Sequence, residues 1–486
     1  MIWAARIFII FVLFVSLGAA IPTSAAPAPH TAFQRVWEWT DLPVAQLQVS
    51  RTWVWGPRSS SSALNEPFAG APGGQRTVQY FDKSRMEIND PNGDPTSLWY
   101  VTNGLLGKEL VTGNLQTGPD RFEPHDPATV NVSGDPSDAQ APTYASFSSR
   151  LKSPPLPSGS TITQTLDRAG NVGNDPSLTG QGVTVGSPVT ETNHAVASVF
   201  WDFMTSSGLV AENEGTTTAP LFQDPFYATG FPISEAYWSR VLVEGVSEPV
   251  LIQVFERRVL TYNPANPDGW EVEAGNVGQH YYTWRHGPPV SVQLPVRFHA
   301  QQDPIWCDPA DIQMWLELIG APLPGDDDTS IQRAIWDYEI SHNAGYTLDE
   351  WAASPYAVAS ALNHYAGRTD VGDLPFSDFE QAGIRISRSI AIDHQPVIAL
   401  VDDGTHYILI NGVVLGPGGA SAPPIAVTVE DPWTQAPTRV GYPAMGQGTR
   451  LDWETFATRF TVDSSRDPGI WSGKWVLIAS GIPLSR

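Results

Sequence analysis

The sequence predicts two domains: a β-rich N-terminal domain, mainly antiparallel with a few helices, and a C-terminal α+β domain. At 486 residues the chain is too long for one ordinary domain and long enough for two with sizeable cores. Its 43 Pro and 42 Gly, with only 16% charged residues, are typical of a loop-rich, β-containing protein. Pro288 and Pro289, followed by alternating residues that lead into a strand, predict a junction at residues 288–296. We therefore expect one domain over residues 32–287 and another over residues 294–486.

The first 25 residues predict a secretory signal peptide. Arg6 precedes an apolar run over residues 7–20, and the small residues Thr23, Ser24 and Ala25 then suit a signal-peptidase site. A membrane anchor is the alternative, but it needs about 20 apolar residues and firmer charged flanks. We expect cleavage after Ala25, a secreted or extracytoplasmic protein, and no transmembrane segment in the cleaved chain.

The chain is strongly acidic. It has 51 Asp and Glu against 27 Lys and Arg, which gives a formal net charge of −24 at pH 7. Such a charge argues against nucleic acid or an anionic membrane surface as the partner, because both are polyanions. The excess acidic residues are expected to form a solvated surface.

Residues 32–287 contain strand-like runs separated by Pro-, Gly- and Asp-rich loops. Examples of these runs are residues 51–56, 77–82, 97–103 and 250–263. Residues 194–210 are predicted to be helical, since their apolar residues recur at helical spacing. The segments QYFDKSRMEINDP (79–91) and FERRVLTYNPANPDGWEVEAGNVGQHYYTWRHG (255–287) resemble a recurrent domain of uncharacterised exported bacterial proteins. That resemblance implies no particular activity, and the segment contains no phosphate-binding loop, zinc helix or serine-hydrolase elbow.

Cys307 is the only cysteine of the chain, so no intramolecular disulfide can form. A lone thiol in an exported protein is either a buried apolar group or a reactive one. Apolar residues at helical spacing follow it and predict an amphipathic helix: Ile312, Trp315, Leu316 and Ile319. Asp308 is expected to cap this helix and Pro309 to occupy its first position. Cys307 would then lie just outside the positive end of the helix, where thiolate is favoured over thiol.

A nucleophilic thiol needs a base, and His406 is the candidate. It opens the strand-like run HYILINGVVL, and residues 422–433 form a second run in which Asp431 is followed by a proline. If the two runs pair as a hairpin, residue 414 lies opposite residue 425 or a close neighbour, and residue 408 lies opposite Asp431. His406 would then be one diagonal step from Asp431 on the same face of the sheet. An error of one residue in this register would place the two side chains on opposite faces.

Residues 294–480 resemble papain-like cysteine peptidases, closest to the bacteriocin-processing, double-glycine family and its free-standing relatives. The matching motifs are Q-x5-C-x-P-A, which begins at Gln301, HYILINGV at His406 and VEDPW around Asp431. The resemblance implies a papain-like α+β fold with Cys307 as the nucleophile and His406 as the general base and acid. It also implies that Asp431 orients the imidazole and that Gln301 donates to the oxyanion hole. Gln302 is the alternative donor, and no metal or cofactor is expected.

One residue departs from the family pattern: Asp308 stands where these peptidases usually have glycine. Its Cβ would crowd the oxyanion site, and its carboxylate would oppose formation of a thiolate. The leading prediction is an exported thiol-dependent peptidase acting on a peptide or protein substrate. The alternatives are a catalytically inactive peptidase-like binding module, and a cell-surface protein whose aromatic-rich N-terminal domain binds a cell-wall or surface polymer.

Overall fold

The computed structural model describes residues 29–481, apart from 62, 213–214, 417, 435–437, 440–441 and 461–469. The predicted signal peptide, residues 1–25, lies outside the described residues. Within the described ranges, no helix is both long and apolar enough to cross a membrane.

The chain forms a mixed α/β structure with several separate sheets. The α-helices are α1 (Pro29–Ala45), α2 (Leu106–Thr112), α3 (Tyr144–Phe147), α4 (Ser198–Met204), α5 (Val277–His286), α6 (Cys307–Leu318), α7 (Asp328–Ser341), α8 (Pro355–Ala366), α9 (Phe379–Ala391) and α10 (Trp453–Ala457). The strands up to residue 274 are β1 (Leu64–Pro67), β2 (Gln75–Phe81), β3 (Ser84–Ile88), β4 (Thr102–Asn103), β5 (Asn114–Gly118), β6 (Arg121–Pro124), β7 (Gln164–Leu166), β8 (Val172–Asn174), β9 (Val185–Val189), β10 (His194–Ala197), β11 (Ser207–Glu212), β12 (Gly215–Pro220), β13 (Tyr237–Val243), β14 (Val246–Val254), β15 (Val259–Tyr262) and β16 (Val272–Ala274). The later strands are β17 (Val290–Gln293), β18 (Val371–Phe376), β19 (Val397–Val401), β20 (His406–Leu415), β21 (Ala426–Glu430), β22 (Thr438–Arg439), β23 (Tyr442–Pro443), β24 (Thr449–Asp452) and β25 (Trp475–Ser480).

The described residues between 64 and 274 build two larger sheets and three two-stranded pairs. Strands β1 to β4 form an antiparallel sheet in sequential order. A six-stranded sheet has the order β16-β15-β14-β13-β7-β8, in which the β7–β13 pair is parallel and the other pairs are antiparallel. The two-stranded pairs are β5–β6, β9–β10 and β11–β12. Most of the strand pairing here is therefore antiparallel, while the division of the chain into domains stays a prediction.

The predicted helix over residues 194–210 is wrong at both ends. Only α4 is helical; the residues before it form β10 and those after it form β11. A buried side chain holds β10 in its extended form, because Gln253 accepts from Ala197 N and donates to Ala195 O. These tertiary hydrogen bonds override a helical spacing that has no caps to support it.

Residues 290–480 are organised around a seven-stranded sheet whose described pairs are antiparallel. Its strand order is β18-β25-β19-β20-β21-β24, and β17 pairs with the far end of β20. Since side chains alternate along a strand, each face of the sheet has its own apolar cluster. Helices α6, α7 and α8 cover one face, and α9 and α10 cover the other. The strand expected at the junction, β17, is thus part of this sheet.

Candidate active site

Helix α6 begins at Cys307 itself, so the N-cap position falls to Trp306, which makes no side-chain capping bond. The expectation that Asp308 caps the helix is therefore wrong. Asp308 is the second helical residue, and its side chain is buried instead of turning back toward the start of the helix. Pro309 is the third helical residue and not the first, and Cys307 lies inside the first turn instead of just outside the helix. Unpaired backbone N–H groups and the helix dipole still favour a negative charge there.

The thiol of Cys307 is nearly enclosed. The residue is 8% exposed and packs in an apolar cluster that also contains Trp306, Tyr407 and Leu409. Its Sγ atom lies 3.7 Å from Asp308 Oδ1 and donates to it in a long, weak hydrogen bond. The thiol is therefore held against a carboxyl group of its own helical turn.

Two further buried carboxyl groups, Asp311 on α6 and Glu339 on α7, accompany Asp308. Burial raises the pKa of Asp308 to about 7, although hydrogen bonds with Glu339 and Cys307 act in the opposite direction. Burial, together with the charge of Asp308, raises the pKa of Asp311 and that of Glu339 well above their usual range. These groups therefore retain protons at pH values where exposed carboxyls are ionised. No sequence motif marks Asp311 or Glu339, because the cluster arises from the packing of α6 on α7.

His406 and Asp431 form the second part of the site. His406 Nε2 lies 2.8 Å from Asp431 Oδ1, and both side chains are buried. The carboxylate also accepts from the backbone N–H groups of Trp433 and Met445, at 3.0 and 2.7 Å. Burial alone would raise the pKa of Asp431, but the hydrogen bond and charge of His406 and the two backbone donors hold it below its usual value. The ionised carboxylate thus places the proton of a neutral imidazole on Nε2, which makes Nδ1 the basic nitrogen.

The hairpin of β20 and β21 sets this contact. At its loop end Val414 lies opposite Ala426, a close neighbour of residue 425 as predicted. The extra residue of a β-bulge, Asn411, then shifts the pairing by one. Beyond the bulge the pairing follows the predicted register, and it carries Asp431 to the face of the sheet where His406 lies.

Two links join the beginning of α6 to Asp431. Gln301 N donates to Pro432 O at 3.0 Å, which ties the segment before the thiol to the residue after Asp431. Asp311, one helical turn after the thiol, is close enough to Asp431 for that charge to contribute to the raised pKa of Asp311. The structure thus joins the histidine and the aspartate by a direct hydrogen bond, and it links Cys307 and Gln301 to that pair through their neighbours.

The adjacent residues Gln301 and Gln302 differ in environment. The Gln301 side chain is buried, and its Nε2 donates to Asp303 O at 2.8 Å. An amide nitrogen carries two protons, so Gln301 has a second N–H for another acceptor. Gln302 is exposed, and its Nε2 donates back to Ala300 O. Of the two candidate oxyanion donors, Gln301 is the one whose amide lies inside the protein.

Comparison with known proteins adds little to this geometry. No protein-family model matches the chain, and no curated protein is a significant match. Among solved structures, the chain is similar to a double glycine motif protease from an AMS/PCAT transporter in complex with the leader peptide, at 14% sequence identity and a TM-score of 0.22. The alignment covers 40% of this chain and 97% of that protease chain.

Proposed function

We propose that this chain is an exported thiol-dependent peptidase that hydrolyses or transfers peptide bonds. The observation that supports it most is the buried hydrogen bond of 2.8 Å between His406 and Asp431. In this proposal Cys307 is the nucleophile and His406 the general base and acid. Asp431 orients the imidazole, and Gln301 is the oxyanion donor. Export is proposed from the sequence of residues 1–25.

The proposed reaction follows from the chemistry of these groups. His406 Nδ1 takes the thiol proton, and the Cys307 thiolate attacks the carbonyl carbon of the scissile peptide bond, forming a C–S bond. The second N–H of Gln301 and the backbone N–H of Cys307 stabilise the oxygen that becomes negative. His406 then gives the proton to the leaving amine as the C–N bond breaks, and water or another amine releases the acyl group from sulfur. Since the pKa of Asp308 is about 7, its carboxyl is mostly neutral below that pH and does not oppose the thiolate.

The test uses the single thiol and needs no knowledge of the substrate. The rate of iodoacetamide labelling of native Cys307 is measured between about pH 5 and 8 for the wild type and for His406→Ala. Fast labelling that persists at about pH 6 in the wild type and is lost in the variant supports a thiolate–imidazolium pair. His364→Ala, which removes an imidazole stacked on Tyr338, is the control. Labelling only after unfolding, or the same pH profile in wild type and His406→Ala, overturns the proposal.

The position of Asp308 favours a second function: a peptidase-like module that binds a peptide without cleaving it. When ionised, this carboxyl disfavours a thiolate from 3.7 Å away. Such a module forms no thioester with an activated ester such as p-nitrophenyl acetate, and its Cys307→Ser variant binds the same partner as the wild type. Detection of an acyl group on Cys307 by mass spectrometry excludes this alternative.

A role in binding a cell-wall or surface polymer is proposed for the N-terminal half. It exposes large aromatic side chains, among them Trp99, Phe122 and Trp201, which are suited to stacking on sugar rings. Co-sedimentation of the full chain with insoluble peptidoglycan tests the proposal. Equal sedimentation with and without the polymer contradicts it, and so does binding unaffected by Trp99→Ala and Trp201→Ala together.

A further inference from the structure

A buried glutamine on α7 holds the backbone on both sides of Gln301. Gln332 is fully buried, with 0% of its surface exposed. Its Oε1 accepts from Gln302 N at 2.8 Å, and its Nε2 donates to Ala300 O at 3.0 Å. These two bonds fix the residues before and after Gln301, so α7 sets the direction in which the Gln301 side chain leaves the backbone.

Gln332 is in turn held by other polar residues. Its Nε2 also donates to Gln313 Oε1 at 3.0 Å, and Gln313 Nε2 donates to Asp328 Oδ1 at 2.9 Å. Asp328 lies 2.9 Å from His299 Nδ1, and Glu317 Oε2 lies 3.0 Å from the other nitrogen of that ring. Rotation of the Gln332 amide by half a turn would set N–H against N–H and oxygen against oxygen. The network therefore specifies one orientation of this side chain.

Packing alone does not require such an arrangement. Burying an amide costs free energy unless its N–H and C=O groups are bonded, and an apolar residue fills the space between two helices without that condition. The bonds also have a direction. They run from Gln313, on the helix that carries Cys307, through Gln332 to the two residues that flank Gln301.

We propose that Gln332, supported by Gln313, is a positioning residue for the oxyanion donor Gln301. The inference rests on the proposed function and deepens it, since Gln332 contacts no substrate and acts through the Gln301 amide. A donor displaced by about 1 Å loses much of its stabilisation of the oxyanion, which costs on the order of 10- to 100-fold in rate. The same displacement does not change the rate of a reaction of this thiol in which no oxyanion forms.

The experiment compares two such reactions in the full chain. In acylation by p-nitrophenyl acetate, the Cys307 sulfur forms a C–S bond with the ester carbonyl carbon, and the C–O bond breaks to release p-nitrophenolate, which is measured. The acetyl thioester is then hydrolysed by water. In alkylation by iodoacetamide, the sulfur displaces iodide at a saturated carbon, so no oxyanion forms. The ratio of the two rates reports on the oxyanion site, whereas damage to the thiol changes both rates.

Gln332→Met keeps the length of the side chain and removes both of its backbone bonds. We expect its acylation rate to fall about 10- to 100-fold while its alkylation rate stays within about twofold of the wild type. Gln253→Met is the matched control. Gln253 is also fully buried and bonds in the same way to Ala195 O and Ala197 N, but it lies on β14 in the six-stranded sheet. Its substitution is expected to leave the ratio unchanged.

Three outcomes overturn the inference. An equal loss of both rates in Gln332→Met shows a structural role only, and two rates that both stay at their wild-type values show no role. If alkylation of Cys307 in the wild type does not depend on His406, both the proposed function and this inference are wrong. A reactive wild type whose ratio is insensitive to Gln332→Met removes this inference alone. If Gln332→Met does not fold, the two rates are measured for Gln313→Met instead. We expect a smaller fall in the ratio of acylation to alkylation for that variant.

Discussion

The Cys307 sulfur lies 3.7 Å from Asp308 Oδ1, and Asp308 and Glu339 are close enough for each to shift the pKa of the other. The thiol is thus paired with a group that changes charge near neutral pH, because burial raises the pKa of Asp308 to about 7. Below that pH the neutral carboxyl leaves a thiolate unopposed, and above it the carboxylate repels a thiolate. The neighbourhood of Asp308 therefore adds a pH dependence to the reactivity of the thiol.

Substitution of Asp308 by asparagine is expected to increase thiol reactivity only at high pH. The variant lacks the negative charge that the wild type acquires as pH rises through about 7. We expect Asp308→Asn to label with iodoacetamide about tenfold faster than the wild type at about pH 8, and equally fast at about pH 5.5. Asp349→Asn, which removes an exposed carboxylate, is the control. If Asp308→Asn and the wild type label at equal rates at both pH values, the charge of Asp308 does not affect the reactivity of the sulfur.

Glu339→Gln is expected to make the stability around the thiol less sensitive to pH. A carboxyl with a higher pKa in the folded than in the unfolded state stabilises the fold fully below its unfolded value of about 4. That contribution is lost as pH rises through the folded value, about 7 for Asp308. The wild type should therefore unfold at a lower urea concentration at about pH 8 than at about pH 5, with a smaller difference in the variant.

Labelling of Cys307 in urea measures the urea concentration at which the surroundings of this thiol unfold. The label reports on that region alone, because the chain has no other thiol. Asp431 does not disturb the comparison: its pKa is lowered, so its contribution is lost at pH values below this range. A wild type that becomes more stable from about pH 5 to 8 would contradict the prediction.

Asp431→Asn is expected to abolish most acyl transfer. Asparagine can hold the imidazole in the wrong tautomer and no longer stabilises its charged form, a change that costs roughly 10⁴-fold in a comparable triad. The measurement is p-nitrophenolate release from p-nitrophenyl acetate. Glu430→Gln, on the neighbouring residue of β21, is the control, since Glu430 bonds to Asn411 and not to His406. Equal losses in both variants would point to damage to the hairpin instead of the imidazole.

Gln301→Ala and Gln302→Ala are expected to separate the two candidate oxyanion donors. The Gln301 amide is buried and the Gln302 amide is exposed. Loss of one oxyanion donor costs about 10²–10³-fold, so we expect that fall in the acylation rate of Gln301→Ala and little change in Gln302→Ala. The reverse pattern would transfer the role to Gln302.

The hairpin shows how far the sequence could predict the site. Alternation along residues 406–415 and the proline after Asp431 were sufficient to pair the two strands and to place His406 near their open end. The bulge at Asn411 was not predictable, because it depends on partners from elsewhere: Asn411 O accepts from Leu294 N, and its Nδ2 donates to Glu430. The pairing at the loop end is one residue from position 425, and the bulge gives the pairing beyond it the register that places residue 408 opposite Asp431.

Two local predictions failed for a shared physical reason. The spacing of residues 194–210 predicts one helix, and the Asp-Pro step after Cys307 predicts a cap. In the first case the distant residue Gln253 bonds to the backbone of β10, and in the second the Asp308 side chain is buried beside the thiol instead of capping the helix. Local propensity contributes less free energy than a buried hydrogen bond when both depend on the same atoms.

The sequence by itself determined the helix after the lone thiol, the two strands that present His406 and Asp431, and the acidic character of the chain. Only the tertiary structure decided which carboxyls surround the thiol and which glutamine lies inside. Helix α6 packs against the sheet, α7 and α8, so Asp308 and Gln313 are buried beside polar residues of α7, and Asp311 is buried close to Asp431. A sequence pattern gives the direction of a side chain on its own helix, but the charge and hydrogen bonds of a buried group depend on what packs against it.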